Sequence, residues 1–378
     1  MSDDPFLALP GAVEADGAVL HFGAPLAEQR ELAHGDAIVG LGHRGIVTVS
    51  GEDRLSWLHS MTSQRLLGLR PGESVETLLL DPQGRIERAI RLVDDGERSW
   101  LLVDEGSAEP LAAYLNRMRF AMRVEVADAS DRYAAVLAFE GGAALPALRE
   151  LGVAAAEWRD PWAGVTPGGV QYSHGEHAGA GWSAVQLVIE RDRLPEVAAL
   201  ISSGRLRGAG VLALDALELR AWRPSMRGEV DERAIPHELD WMRTAVHLDK
   251  GCYRGQETVA KVHNLGHPPR RLALLHLDGS GGELPPPGAL VHLAGSDAAA
   301  RPVGRVTRSG LHYEWGGIAL ALLKRSVPED AELEVELGAD EGDAAAGDAA
   351  AERIAATQEV IVPSDAGRTR EIPRLKRL

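Results

Sequence analysis

The sequence predicts an α+β fold followed by a small antiparallel β-barrel. Residues 35–125 alternate short β-rich runs with amphipathic helical stretches, and residues 132–201 repeat that order. After Pro268 and Pro269 the chain changes to short strands separated by turns such as GSGG and PPPG, which is typical of a small barrel. No glycine-rich fingerprint follows the first strand, so a doubly wound dinucleotide-binding fold is disfavoured.

The composition indicates a folded, acidic protein. The 378 residues suggest two or three domains, and 45% hydrophobic residues are enough for packed cores. The net charge of −16 repels phosphate backbones, which disfavours direct nucleic-acid binding. The chain shows neither signal-peptide regions nor a long apolar run, so we expect a cytoplasmic protein with no membrane partner. Its single cysteine, Cys252, excludes an internal disulfide and any metal or cluster cage made only of this chain's cysteines.

Hydrophobic spacing predicts the elements of the first region in order. The expected strands are 37–49 (a strand, a turn and a strand), 76–80, 86–92 and 100–103. The expected helices are 53–67 and 108–120. The turn Asp81-Pro82-Gln83-Gly84 separates two of the strands.

Hydrophobic spacing also predicts the elements of the second region and of the C-terminal part. Expected strands are 134–139 and 184–189, and expected helices are 144–151, 195–202 and 211–222, with a Gly- and His-rich loop at 158–182. Expected barrel strands are 271–277, 289–293, 303–307, 312–323 and 331–337. The acidic, Ala-rich residues 338–357 are expected to form a mobile or partly helical appendage, followed by a solvated basic tail.

The densest group of reactive residues is the run KGCYRGQE. The run comprises Lys250, Gly251, Cys252, Tyr253, Arg254, Gly255, Gln256 and Glu257. An extended segment precedes it and helical turns follow it, which places Cys252 at a strand-to-helix junction. Exposed backbone N–H groups, the positive end of a helix dipole and the cations Lys250 and Arg254 would each favour a thiolate there. The alternative is a small buried cysteine beside turn glycines, with Glu257 capping the helix or pairing with Lys261.

Two other groups of polar residues lie near this run. Pro236 places Glu238 inside a possible short helix, where the carboxylate can bind a pair of N–H donors or cap its own helix. Three histidines, His247, His263 and His267, have spacings that support a zinc site only weakly. We therefore predict no metal site.

The run KGCYRGQE resembles the signature of YgfZ-type folate-binding proteins, relatives of the glycine-cleavage T-protein (an aminomethyltransferase). Three further stretches resemble the same family: VTVSGEDRLSWLHSMTSQRLLGLRPGESVETLLLDPQGRI, RPSMRGEVDERAIPHEL and VGRVTRSGLHYEWGGIALALLKR. Together they cover roughly residues 35–340. Lys250, Cys252, Tyr253, Gly255, Gln256 and Glu257 match the family motif, and Arg254 occupies its variable position.

The resemblance implies two ferredoxin-like α+β subdomains and a C-terminal barrel around a central opening. It divides the chain into a lead segment 1–34, a folate-binding region 35–267, a barrel 268–337 and a terminal segment 338–378. Within the folate-binding region, roughly residues 50–130 are inserted between 35–49 and 131–267. The opening would bind tetrahydrofolate or a one-carbon derivative.

The departures from the T-protein pattern concern its chemistry. Where a T-protein has an aspartate that promotes methylene transfer, this chain has Glu87 followed by a cation. The family's pterin-side glutamate has no clear counterpart in GAGWSAVQLVIE. Both changes disfavour aminomethyl transfer and leave folate binding possible.

The resemblance implies an accessory factor for iron–sulfur cluster assembly or maintenance, with an indirect effect on tRNA modification. Cys252 would contact a cluster, a client protein or a folate-borne one-carbon unit. Lys250, Arg254 and Arg223 are candidates for the folate tail, and Glu238, Gln256 and Tyr253 for the ring. The alternatives are a tetrahydrofolate-dependent aminomethyltransferase or demethylase and a non-catalytic adaptor with a vestigial folate site.

Overall fold

The computed structural model describes residues 4–279, 282–297, 300–338 and 352–368. The strands are β1 (Val13–Ala15), β2 (Ala18–His21), β3 (Ala37–Leu41), β4 (Gly45–Ser50), β5 (Ser74–Leu80), β6 (Ile86–Asp94), β7 (Arg98–Val103), β8 (Glu125–Asp128), β9 (Tyr133–Phe139), β10 (Ala154–Arg159), β11 (Ala184–Glu190), β12 (Arg207–Gly208), β13 (Arg270–Leu277), β14 (Leu290–Leu293), β15 (Gly304–His312), β16 (Gly316–Lys324), β17 (Leu333–Glu336) and β18 (Arg353–Val360). The helices are α1 (Pro25–Ala33), α2 (Arg54–Met61), α3 (Ala108–Met118), α4 (Ala144–Leu151), α5 (Leu194–Ser202), α6 (Val211–Arg220) and α7 (Gln256–Leu265).

Three large β-structures organise most of these elements, and β1 and β2 form a separate two-stranded sheet. The framing subdomain has a five-stranded sheet in the order β10-β11-β9-β3-β12, and the inserted subdomain has one in the order β5-β6-β7-β4-β8. The C-terminal strands close into the barrel β13-β16-β15-β14-β17-β18. All ladders in the barrel are antiparallel. The predicted α+β fold with a C-terminal antiparallel barrel is therefore confirmed.

The inserted subdomain begins earlier than the sequence suggests. β4 pairs with β7 and β8, so it belongs to the inserted sheet and not to the framing subdomain. The sheet runs from Gly45 to Asp128, and residues 42–44 connect it to β3. A strand's place in a sheet depends on its long-range partners, which local spacing does not identify.

The barrel extends further than predicted. β18, which lies partly in the region expected to be an appendage, pairs with both β13 and β17 and completes the closed sheet. Closure leaves no unpaired edge on those two strands, and this gain outweighs the low β-propensity of an Ala-rich segment. Residues 339–351 and 369–378, which contain the rest of the predicted appendage and nearly all of the basic tail, lie outside the described residues.

A shared core joins the three β-structures. Alternate residues of one strand in each structure enter it: Tyr133, Ala135, Leu137 and Phe139 of β9, Trp100 and Leu102 of β7, and Ile318, Leu320 and Leu322 of β16. The residues between them pack into a separate core for each structure, as the two-residue period of a strand requires. The rings of Trp100 and Tyr133 meet edge to face at 4.8 Å, which links the two subdomains directly.

Among the described residues, the helices are too short or too polar for any of them to cross a bilayer.

Candidate functional site

Cys252 is a free, exposed cysteine. It lies in an irregular loop four residues before α7 begins at Gln256. Residues 245–248, which were expected to be extended, form turns and irregular chain instead. The thiol is therefore accessible, as the functional interpretation requires, but it does not follow a strand.

Lys250 is buried, and its ammonium points into the protein. Its Nζ donates hydrogen bonds to the carbonyl oxygens of His59, Thr62 and Gln64, the last at 3.0 Å. Thr62 is the C-terminal cap of α2, so these acceptors lie at the negative end of a helix. Burial lowers the pKa of Lys250 to about 7, while the three carbonyl oxygens stabilise its charged form. All three donors of the ammonium have partners inside the protein.

Arg254 pairs with a carboxylate from the inserted subdomain. Its Nη1 lies 3.0 Å from Oε2 of Glu87 and 3.0 Å from the hydroxyl of Tyr114. Glu87 is the residue that stands near the position of the T-protein's short acid. The two cations expected to activate the thiol thus each have other partners.

Two glycines bring the signature loop against the turn at residues 81–84. Gly84 and Gly255 both have left-handed φ angles, of 80° and 82°. A Cβ on Gly255 would lie 2.6 Å from the carbonyl oxygen of Asp81 and 2.9 Å from the Cα of Gly84. Only glycine fits both the conformation and the space, so the predicted turn glycines also serve close packing.

The remaining signature residues differ in accessibility. Tyr253 is buried beneath the Lys250 ammonium, which lies 4.9 Å from the centre of its ring, and burial raises the pKa of its hydroxyl. Gln256 is half-buried, whereas Gly251 and Glu257 are exposed. Gln256 is thus the ring-orienting candidate of the signature that remains accessible to a ligand.

Of the two roles that the sequence allows for Glu238, binding a ligand or capping its own helix, the structure shows the second. It lies in a 3-10 helix, Pro236–Leu239, and its carboxylate accepts from the backbone N–H of Ile235 at 3.3 Å. Both of its oxygens also accept from Arg270, at 2.9 and 2.8 Å. The side chain is fully buried, so this carboxylate caps its helix and holds an interior ion pair.

Arg223 is also an interior residue. It is 3% exposed and pairs with Glu76 at 2.6 Å and with Asp160 at 3.0 Å. Its guanidinium stacks on the ring of Trp162 at 4.8 Å. The expectation that it meets a folate tail does not fit this position.

The three histidines near the signature do not form a metal centre. His263 Nδ1 hydrogen-bonds the hydroxyl of Tyr172, and His267 Nδ1 hydrogen-bonds the carbonyl of Ala366. Within the described part of the chain there is no group of three or more metal-binding side chains.

The structure also contains an aromatic cavity that the sequence analysis did not find. It encloses about 560 Å³, between the framing subdomain, α6 and the turn that joins β15 to β16. Its aromatic lining consists of Phe139, Trp182, Tyr313 and Trp315, and its size suits a small molecule. Trp182 comes from GAGWSAVQLVIE, the segment in which the family's glutamate has no clear counterpart. The aromatic residues of that segment and of HYEW (residues 312–315) are the sequence features that could have indicated this cavity.

Polar groups of the aromatic cavity have defined roles. Nδ1 of His312 accepts from the backbone N–H groups of Glu314 and Trp315, so the proton of the neutral ring is on Nε2. Burial lowers the pKa of His312 and keeps it neutral. The guanidinium of Arg220 stacks on Trp315 at 3.9 Å. The cavity therefore combines flat apolar surfaces with the N–H of His312, the guanidinium of Arg220 and the carboxylates of Glu176, Glu314 and Glu359.

Similar proteins are known from sequence. No family model matches the chain. An iron–sulfur cluster assembly factor IBA57 homologue, mitochondrial, of Mycosarcoma maydis is 26% identical over 269 residues, which are 66% of this chain and 58% of that protein. A chloroplastic "putative transferase" of Arabidopsis thaliana is 22% identical over 289 residues, 71% of this chain and 62% of that protein. The chain thus spans about three-fifths of the length of the curated relatives it matches.

A solved structure shows the same fold. Aminomethyltransferase T of the glycine cleavage system from Bartonella henselae superimposes with a TM-score of 0.72 at 18% identity, covering 96% of this chain and 97% of that one. The chain therefore has a T-protein-like fold. Together with the sequence relatives, this fold supports the resemblance that the signature run indicates.

Proposed function

We propose that this chain, which has a T-protein-like fold and a signature run resembling that of YgfZ-type proteins, is a tetrahydrofolate-binding accessory factor for iron–sulfur proteins that acts through the thiol of Cys252. The observation that carries the proposal is the exposed, unpaired thiol of Cys252. Its loop is held in place by the buried ammonium of Lys250 and by the close packing of Gly255 against the turn at residues 81–84. The relative from Mycosarcoma maydis, an iron–sulfur cluster assembly factor by name, supports this direction.

One thiol cannot hold an iron–sulfur cluster alone, since such clusters usually need four protein ligands. Any contact between Cys252 and iron must therefore be shared with a client protein, an assembly protein or a small thiol. An effect on tRNA modification would follow indirectly, through a client enzyme that contains a cluster. The surface position of the loop supports such sharing because a partner can approach it.

For the folate ring we propose the aromatic cavity. A pteridine is flat and carries hydrogen-bonding groups at its edge, which suits stacking surfaces such as Trp182 and Trp315 beside the N–H of His312. Arg220, a cation of this lining, could meet a carboxylate. Lys250, Glu238 and Arg223 have interior partners, whereas Gln256 and Arg254 remain candidates for contact with an extended ligand.

Anaerobic titration with tetrahydrofolate tests this assignment. We expect the wild-type chain to bind at micromolar to millimolar concentration, and Trp315→Leu to bind about tenfold more weakly, a loss of ~1.4 kcal/mol. Phe120→Leu is the control, because Phe120 is 82% exposed and does not line the cavity. Failure of wild type to bind tetrahydrofolate or its formyl derivative would leave only the adaptor function.

Replacement of the thiol tests its chemical role. We expect Cys252→Ala to keep the wild-type unfolding midpoint, because the side chain is exposed, and to abolish restoration of iron–sulfur enzyme activity in a deletion strain. Cys252→Ser, which keeps the shape but not the sulfur chemistry, should behave in the same way. Full restoration by either variant would refute the role of the thiol.

Aminomethyl transfer is the second candidate, because the chain shares its fold with an aminomethyltransferase. The thiol of Cys252 or a carboxylate such as Glu87 would assist the transfer, and Glu87 is held by Arg254 at 3.0 Å. Production of methylenetetrahydrofolate from an aminomethyl-lipoyl carrier protein would support the enzyme and count against the accessory role. We expect no turnover from the wild-type chain or from Glu87→Asp.

A further inference from the structure

We propose that the Phe120 loop, residues 117–123 at the end of α3, is a docking site for an acidic segment of a partner protein. The loop has the sequence RMRFAMR, so it contains only arginine, methionine, phenylalanine and alanine. Arginine, methionine and aromatic residues are the types that protein–protein interfaces contain more often than the rest of the surface does. The loop shares no residue with the aromatic cavity or with the signature run.

The ring of Phe120 is displayed at the surface on a strained backbone. Among the described residues it is the most exposed of the large apolar side chains, at 82%. Its φ of 42° is left-handed, which is unfavourable for a bulky side chain. An exposed ring gains no core packing that would offset this strain, and such strain is concentrated at binding and catalytic sites. The ring therefore suits the role of an aromatic anchor in an interface.

The rest of the loop is fixed to the inserted subdomain. Met118 and Met122 pack against the core of that subdomain. The backbone N–H and the guanidinium of Arg123 donate to the carboxylate of Asp53, at 2.9 and 3.0 Å. The N–H of Met122 donates to the carbonyl of Arg119 at 2.8 Å. A loop held in this way loses little conformational entropy when a partner binds.

The charge of the loop indicates what kind of partner it fits. Arg123 is paired with Glu52 and Asp53. Arg117 and Arg119 are exposed, and in the part of the chain that the structure describes neither side chain has a salt bridge. At physiological salt, charges more than about 8 Å away are largely screened, so the net charge of −16 does not cancel these two cations locally. Carboxylates on a partner would pair with them.

A protein fits this loop better than a membrane or a nucleic acid. Binding to anionic lipids usually takes a cluster of about four to eight cations, and the loop has two that are unpaired. Binding to single-stranded nucleic acid uses several aromatic rings for successive bases, and the loop has one. A single aromatic anchor flanked by arginines is typical of the central residues of a protein interface.

The loop lies on the same side of α3 as a contact with the signature run. The hydroxyl of Tyr114 accepts from Arg254, which is two residues after Cys252, at 3.0 Å. Tyr114 comes one turn, about 6 Å, before the end of α3. A partner docked on the Phe120 loop would thus be held near the thiol. This inference rests on the proposed function in one respect, namely that the partner is a protein on which Cys252 acts.

Site-specific photocrosslinking in a complemented deletion strain tests the docking. p-Benzoylphenylalanine replaces Phe120 in one strain and, as a control, Leu293, which is 39% exposed on β14 of the barrel. We expect a protein adduct from position 120 and none from position 293, with the crosslinked peptide of the partner, identified by mass spectrometry, rich in Asp and Glu. Absence of an adduct at position 120, or an adduct only with lipid, nucleic acid or a basic peptide, would overturn the proposal.

Charge reversal tests the arginines in the same assay. Arg119→Glu should lower the yield of the adduct at least about fivefold, because it replaces attraction by repulsion. Arg207→Glu, at an exposed residue of β12, makes the same change in net charge outside the loop and should leave the yield unchanged. Equal yields from the two variants would refute the charge complementarity.

Phe120→Asn separates docking from stability. Asparagine adopts left-handed φ angles more readily than phenylalanine, so this variant should keep or raise the unfolding midpoint. It should bind tetrahydrofolate normally but restore iron–sulfur enzyme activity at least about fivefold less than wild type. Full restoration would contradict the docking role. Cys252→Ala should keep the adduct at position 120, so failure of the docking site and failure of the proposed thiol function are distinguishable.

Discussion

Gly255 and Gly251 lie in the same loop but have different surroundings. Gly255 has a φ of 82°, and the space beside it is filled by backbone atoms of the turn at residues 81–84. Gly251 has no heavy atom within 4 Å of the position that a Cβ would take. The two residues are therefore a matched pair for measuring how far the loop depends on close packing.

We expect Gly255→Ala to lower the free energy of unfolding by about 2 kcal/mol or more, because the methyl group strains the backbone and collides with Asp81. Gly251→Ala should cost less than about 0.5 kcal/mol. Urea unfolding of both variants measures the difference. Equal losses would show that the contact with the turn does not hold the loop.

The charged residues around the signature show a limit of reasoning from neighbours in sequence. Lys250, Arg223 and Glu238 were assigned to a ligand, yet each has a partner far away in the chain: the carbonyls after α2, Glu76 and Arg270. Their side-chain types predict a strong interaction correctly. The partner depends on which segments the fold brings together, so the sequence alone does not identify it.

At the scale of elements, Lys250 joins the signature loop to the end of α2. A cation at the C-terminal end of a helix satisfies carbonyls that have no partner within the helix. The loop that carries Cys252 is thus attached to the inserted subdomain as well as to the framing one. This attachment fixes the position of the loop that exposes the thiol.

We expect Lys250→Met to lower the free energy of unfolding by about 1–3 kcal/mol, because it leaves buried carbonyl oxygens without donors. Lys261→Met, at an exposed position on α7, is the matched control and should change stability by less than about 0.5 kcal/mol. Denaturant unfolding with far-ultraviolet circular dichroism measures both. Equal stability of the two variants would contradict an anchoring role for Lys250.

Two of the elements that the sequence does not predict, β10 and β18, lie where pairing, and not local pattern, decides the conformation. β10 is the edge strand of the framing sheet, and β18 closes the barrel. Both contain several alanines, AAAEWR in β10 and RIAATQEV in β18, and lack the β-branched runs that mark the other strands. Helices α3, α4, α5 and α6 and the strongly apolar strands β6, β7, β9 and β11 lie within a few residues of their predicted bounds, because burial sets their hydrophobic period. Helix α1 was not predicted, and α2 ends at Met61 and not near residue 67.

At the scale of the whole molecule, Asp231 connects the loop before the signature to the barrel. Its carboxylate accepts from Arg270 of β13 at 2.6 Å and from Arg305 of β15 at 2.7 Å. Burial alone would raise the pKa of Asp231, but the hydrogen bond and charge of Arg270 outweigh it and lower the pKa to about 2. The ionised form is therefore more stable in the folded chain than in the unfolded one.

A folded-state pKa below the ordinary value of 3.8 means that this stabilisation is present above that value and is lost as the pH falls through about 2. We expect Asp231→Asn to be less stable than wild type by about 2 kcal/mol at neutral pH, and the difference to vanish in strong acid. Urea midpoints across the pH range measure it. A difference that does not change with pH would mean that the ion pairs contribute no stability.

The shared core explains why the three β-structures form one body. Six of the eight tryptophans are in it: Trp100, Trp158, Trp162, Trp182, Trp222 and Trp241. Large aromatic side chains can fill the irregular space where three curved sheets meet. The aromatic cavity lies at the border of this core, since Phe139 and Trp182 belong to both.

The sequence by itself determined the class of fold, most of the helices and strands, the signature run and the family resemblance. Each of these follows from local information, namely hydrophobic period, turn residues and a continuous motif. The tertiary structure alone decided which charges pair, that Lys250 and Arg223 point inward, and where the aromatic cavity lies. These features depend on contacts between residues far apart in the chain, and such contacts exist only after the shared core has brought the sheets together.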